Sequence, residues 1–124
     1  MEVHMTTILV VDDESVTRRI VSHTLKPIDI QVDGAGDATE AMDLARTQEY
    51  AMALVDINLP DMDGFALTRQ LKALPQMADK PVVIFTARNH REDAMLAHAC
   101  GAVDLLYKPF STQELRDLVI KYTS

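Results

Sequence analysis

Five short apolar runs alternate with five stretches of helical periodicity, and that order predicts an α/β fold: an open doubly wound sheet of five parallel strands with five helices. Two further observations point the same way. Residues 8–11 (ILVV), 51–55 (AMALV) and 82–85 (VVIF) are continuously apolar, as suits strands buried on both faces of a parallel sheet. At 124 residues with 48% hydrophobic content, the chain has the size of one domain and enough apolar mass for one core. No linker, repeat or low-complexity segment interrupts the series, so residues 1–124 are expected to form a single domain. Residues 1–4 (MEVH) carry no pattern of their own and read as a cloning remnant ahead of a native start at Met5.

The elements follow in order. After the first run, Val16, Ile20, Val21 and Leu25 are read as one helical stripe that Pro27 ends. Ile28, Ile30 and Val32 alternate with polar residues, the pattern of a less buried strand near an edge. Residues 37–40 (DATE) form a capping box for a second helix with Ala38, Ala41, Met42 and Ala45 on its inner face. A third helix carries Phe65, Leu67, Leu71 and Leu74 and stops at Pro75. A fourth runs over 91–100 with Gly101 as its left-handed stop. Residues 103–107 (VDLLY) are the fifth strand, and residues 111–114 (STQE) cap a fifth helix carrying Leu115, Leu118 and Val119. The single Cys100 and Met42, Met52, Met77 and Met95 read as apolar filler, Tyr107 as a packed core aromatic, and His4, His23, His90 and His98 as surface or helix residues without metal-ligand spacing.

Composition excludes several classes of function. Twelve Lys+Arg against 19 Asp+Glu give a formal charge of −7 with no basic run, which argues against nucleic-acid or anionic-membrane binding. No apolar stretch approaches the roughly 20 residues needed to span a bilayer, and a cytoplasmic setting is expected.

In a doubly wound sheet, ligands bind at the carboxyl ends of the strands. There the chain places Asp12 and Asp13 after the first strand, Asp56 after the third, Thr86 after the fourth and Lys108 after the fifth. Singly, such residues are equally helix caps or turn formers; it is their shared edge that carries weight. Carboxylates crowded together raise one another's pKa unless a cation sits among them, and Mg²⁺ suits a site with few carboxylates and room for phosphate oxygens.

The motifs at 11–13 (VDD), Asp56 with 58–60 (NLP) and 63–64 (DG), 85–87 (FTA) and 108–110 (KPF) together resemble the receiver domain of two-component response regulators, CheY-like and of the flavodoxin-like type. The resemblance extends from about Thr7 to Tyr122. It implies that Asp56 is the phosphoacceptor, taking a phosphoryl group from a phosphohistidine. It implies that Asp13 and Asp56 ligate Mg²⁺ directly, Asp12 through water, and Asn58 through its backbone carbonyl. Thr86, Ala87 and Lys108 would bind the phosphoryl group, and the Lys108-Pro109 bond is expected to be cis. Leu105 stands where many relatives carry a switch aromatic, so coupling to the face of the fourth helix, fifth strand and fifth helix is expected to be weaker. Asn58 and Arg88 flank the approach of the hydrolytic water.

The function implied is a phosphorylation-dependent switch that assists its own phosphorylation and dephosphorylation without turning over a separate substrate. Its upstream partner is a histidine kinase or histidine phosphotransfer protein docking near Ser15, Arg18 and Arg19. Its downstream partner is an output domain or protein, and a stand-alone relay and a fragment of a larger regulator both stay open. The alternative is a Mg²⁺-dependent phosphohydrolase of haloacid-dehalogenase type, whose second Asp would fall at Asn58.

Overall fold

The computed structural model describes residues 5–124; the expectation for residues 1–4, His4 included, lies outside them. The elements are β1 (Thr6–Val11), α1 (Ser15–Leu25), a 3₁₀ turn (Lys26–Ile28), β2 (Ile30–Ala35), α2 (Ala38–Thr47), β3 (Ala53–Val55), α3 (Gly64–Lys72), β4 (Val82–Thr86), α4 (Asp93–Ala99), β5 (Asp104–Tyr107) and α5 (Thr112–Thr123). The strands form one parallel sheet in the order β2-β1-β3-β4-β5. The order reverses between β1 and β3, and this is where a doubly wound sheet opens a crevice at its carboxyl edge.

Alternation along the strands divides the core in two. Ile8, Val10, Leu54, Val83 and Phe85 face α1 and α5, where Val21, Leu25, Leu115 and Val119 cover them. Leu9, Val11, Val55 and Ile84 face α2, α3 and α4, covered by Ala41, Ala45, Leu67, Leu71 and Ala97. Each fully buried Val or Leu contributes about 1.5–3 kcal/mol, so the central strands are held from both sides.

Three apolar assignments are corrected. Val16 and Ile20 are 59% and 50% exposed while Val21 and Leu25 are buried. At 3.6 residues per turn, Val16 and Val21 stand about 140° apart, so the four residues form two stripes and only one faces the sheet. Met95 is 72% exposed on the outer side of α4, whereas Met42, Met52 and Met77 are buried as expected. Tyr107 is 42% exposed; it is the last residue of β5, an edge strand paired only with β4. Ile28 belongs to the 3₁₀ turn, so β2 begins at Ile30. The fourth helix is shorter than expected, starting at Asp93. Cys100 is buried, His23, His90 and His98 are exposed, and Gly101 has φ +100°.

Local signals explain the other helix ends. Ser111 accepts from Glu114 N–H while Glu114 answers to Ser111 N–H, a complete capping box. Asp37 accepts from Glu40 N–H, but the Glu40 carboxylate reaches back to Gly36 N–H instead of Asp37. No helix among the described residues is long and apolar enough to cross a membrane.

Candidate functional site

The carboxyl ends of β1 and β3 meet at the reversal point, and the pairing of Val11 with Val55 sets Asp12 and Asp56 side by side. Asp12 is fully buried, Asp56 is 6% exposed and Asp13 is exposed. One oxygen from each of the three lies within 4.8 Å of the others. Backbone bonds hold both strand ends, from Asp12 N–H to Ala35 O and from Asp56 N–H to Val11 O, each 3.0 Å. The donor set is all carboxylate oxygen, with one member open to solvent, which fits a hard divalent cation that keeps waters.

Lys108 enters from β5. Its ammonium donates to Asp12 Oδ2 and to Asp56 Oδ2, the latter at 3.2 Å, and sits 4.5 Å from the centre of the Phe85 ring. Burial alone would lower its pKa, but the hydrogen bond to Asp12 and the charge of Asp56 outweigh this and push it up. Burial also pushes the Asp56 carboxyl up from its ordinary value, against the opposing pull of Lys108. The Lys108-Pro109 peptide bond is cis.

Asp56 is followed by a tight loop that ends in α3. Gly64 N–H donates to Ile57 O at 2.8 Å, and a Cβ on Gly64 would stand 2.1 Å from Asp56 O. Only a residue without a side chain permits that approach. Asp63 caps α3 by accepting from Ala66 N–H. Asp61 ties the loop to α2: its carboxylate accepts from Ala38 N–H, Thr39 N–H and the Thr39 hydroxyl at 2.9–3.0 Å. Those bonds hold its carboxyl below the usual range. Asn58 is exposed beside Asp56, its N–H 3.5 Å from Asp56 Oδ1.

Thr86 is buried at the end of β4, where its hydroxyl accepts from Arg88 N–H at 3.1 Å; Ala87 is exposed. The Arg88 side chain turns to Asp93, fully buried at the start of α4, with Nη2 2.7 Å and Nε 3.1 Å from Asp93 Oδ1. Asp93 also accepts from His90 N–H at 3.0 Å. Leu105 is half-buried against the core under α2, α3 and α4. Asp12, Asp13, Asp56 and Lys108 come together at one rim, with Asn58 beside Asp56, Thr86 at the end of β4 and Ala87 just after it; the Arg88 guanidinium is instead bound to Asp93, and Leu105 pairs with Ile84 within the sheet, short of the rim. Sequence reasoning missed Asp93 and the inward turn of Arg18; for Arg18 the available signal was Gly34 in the second strand with Gly36 just past its end.

The pattern of the family described as response regulator receiver domain matches residues 8–120. The chain belongs to this family. It is similar to a probable transcriptional regulator ycf27 of Cyanophora paradoxa, 33% identical over 115 residues, 93% of this chain and 47% of that protein. It is similar to the transcriptional regulatory protein SrrA of Staphylococcus aureus, 33% identical over 108 residues, 87% of this chain and 44% of that protein. The chain thus spans about half the length of these relatives. Among solved structures, chemotaxis protein CheY4 of Vibrio cholerae superposes with a TM-score of 0.91 at 29% identity, covering 96% of this chain and 99% of that one. A receiver domain of a two-component system is a phosphorylation-dependent signalling switch, and the hydrolase alternative is not favoured.

Proposed function

We propose that this receiver accepts a phosphoryl group from a phosphohistidine onto Asp56, at a Mg²⁺ site made by Asp12, Asp13, Asp56 and the Asn58 backbone carbonyl. The observation that carries the reading is the convergence of the three carboxylates with the Lys108 ammonium at the sheet's reversal point. An Asp56 carboxylate oxygen attacks phosphorus as the phosphorus–nitrogen bond of the donor breaks, and the histidine nitrogen leaves with the bonding pair. When bound, Mg²⁺ neutralises charge on the carboxylates and the phosphoryl oxygens. Lys108 supplies a fixed positive charge beside Asp56, and the Thr86 hydroxyl, which accepts from Arg88 N–H in this structure, turns to donate to the new group. Ala87 leaves the neighbouring loop unobstructed. Positioning and charge neutralisation are most of what phosphoryl transfer needs.

Phosphorylation adds about 1.5 to 2 negative charges at the rim. Movement of Thr86 then alters Arg88 and, through Asp93, the start of α4. The α4, β5 and α5 face is the output surface, with Leu105 in place of an aromatic, and it passes the signal to an output domain or partner protein in the cytoplasm. A histidine kinase or histidine phosphotransfer protein docks beside α1, where Thr17, Ile20, Pro109 and Phe110 line a groove next to Lys108. The domain is its own substrate, residues 1–124 acting as one receiver, and Asn58 and Arg88 tune the lifetime of the aspartyl phosphate.

Incubation with acetyl phosphate tests the reading. Intact-protein mass spectrometry is expected to find one added phosphoryl group with Mg²⁺, none in EDTA and none in Asp56→Ala. Phosphorylation that survives either change overturns the assignment.

A further inference from the structure

We infer that Arg18 is a positioning residue for the acidic site: it holds the Asp12-Asp13 peptide and so sets where Asp13 presents its carboxylate to a divalent cation. The inference rests on the reading of the three carboxylates as a cation site.

Arg18 Nη1 donates to the carbonyl oxygen of Asp12. A peptide group is planar, so fixing that oxygen also fixes the nitrogen and Cα of Asp13. Asp13 is exposed, and among the described residues nothing donates to its carboxylate, so its aim depends on its backbone. The rest of the turn is already stitched: Asp12 N–H is bonded to Ala35 O, and Asp12 Oδ1 accepts from Glu14 N–H at 2.9 Å. The Arg18 bond completes it.

The route of the side chain is built into β2. A Cβ on Gly34 would stand 2.9 Å from Arg18 Cδ and 3.2 Å from Nε, and one on Gly36 would stand 3.6 Å from Nη1. Gly34 in β2 and Gly36 just past its end, two positions apart, leave a trough in which the arginine stem lies. Arg18 is half-buried there, whereas Arg19 beside it is exposed. The docking role expected of Arg18 from sequence is therefore left to Arg19, because the Arg18 guanidinium is spent inward. It donates to a backbone oxygen and takes none of the three carboxylates as its partner. An arginine suits this because its planar fork stays charged and is pre-organised at the end of a long stem.

Mg²⁺ titration of the whole chain, followed by calorimetry and by the Asp13 amide resonance, tests the inference. Arg18→Met keeps the stem and removes the donors; it is expected to weaken Mg²⁺ binding about tenfold, the low end for a group that orients a metal ligand, and to shift the Asp13 amide. Arg18→Lys is expected to recover part of the affinity. Gly34→Ala crowds the stem and is expected to weaken Mg²⁺ comparably, with the double variant no weaker than the worse single one. Unchanged Mg²⁺ affinity in Arg18→Met, or additive losses in the double variant, overturns the positioning role while the cation site stands. Failure of the wild type to bind Mg²⁺ overturns the site itself and the inference with it.

Discussion

The rim between β1 and β3 and the face made by α4 and β5 are built from the same kind of element, yet they are secured very differently. At the rim, Asp12, Asp56 and Lys108 are buried or nearly so, and backbone, glycine and arginine contacts hold each strand end. On the other face, α4 has seven residues, no side-chain cap at Glu92, and Met95, Val103 and Tyr107 open to solvent. A short uncapped helix beside an edge strand has little local stability of its own. The contrast teaches that the carboxylate cluster is gathered where the backbone is firmly held, and that α4 lies where little resists movement. The Arg88–Asp93 pair joins the two.

The largest expected effect belongs to the rim. In Gly64→Ala the new Cβ would meet the Asp56 carbonyl oxygen at 2.1 Å and Ile57 Cα at 2.9 Å, both backbone atoms that cannot rotate away. A loss of about 3 kcal/mol or more is expected in urea unfolding. A loss under about 1 kcal/mol would mean that the loop after Asp56 gives easily, and the contrast between the regions would fail.

The junction comes next, through pH. Burial alone would raise the Asp93 carboxyl, but its bonds to Arg88 and His90 N–H outweigh this and hold it below its ordinary value. A depressed folded-state pKa gives stability that is present above the unfolded pKa and lost as pH falls through the folded one. Asp56 has the opposite sign: burial raises its carboxyl, so its contribution is present below the unfolded pKa and lost as pH rises through the folded one. Asp93→Asn is therefore expected to lower the thermal midpoint by about 5 °C at neutral pH and to flatten the acid loss below about pH 4. Asp56→Asn in EDTA is expected to steepen that loss. Parallel slopes in scanning calorimetry from pH 3 to 7 would show that the two carboxylates share one environment.

The smallest effect is expected on the open face. Met95→Gln replaces a side chain that is 72% exposed, and the unfolding free energy is expected to stay within about 0.5 kcal/mol of wild type. A larger loss would show that α4 is packed as firmly as the rim.

What the sequence disclosed follows from the range of its signals. Strand runs and helix periodicities are local, so the ten elements, the capping box at Ser111 and the gathering of Asp12, Asp13, Asp56, Thr86 and Lys108 were all legible. What escaped depends on partners distant in the chain or on the edge of the sheet. Val16 and Ile20 look like core until the direction of α1 against β1 and β2 is known. Tyr107 looks buried until β5 is found to lack an outer neighbour. Asp61 reaches α2 across 23 residues, and the burial of Asp93 rests on an arginine five residues away with no periodic pattern between them. Such closures leave only indirect traces, such as the glycines under Arg18.

Both outer strands carry an aspartate bonded to a tyrosine hydroxyl at 2.8 Å, Asp33 to Tyr50 on β2 and Asp104 to Tyr122 on β5. Asp104 also takes the N–H of Leu105 with its other oxygen, at 2.8 Å. An open sheet invites another strand to add along either margin, and natural proteins blunt such margins with charge. Here each margin has a carboxylate held in place by a phenol, so an approaching chain meets a fixed negative charge. The molecule can thus leave β5 without an outer neighbour, on the face proposed for output, without that strand becoming a template for aggregation.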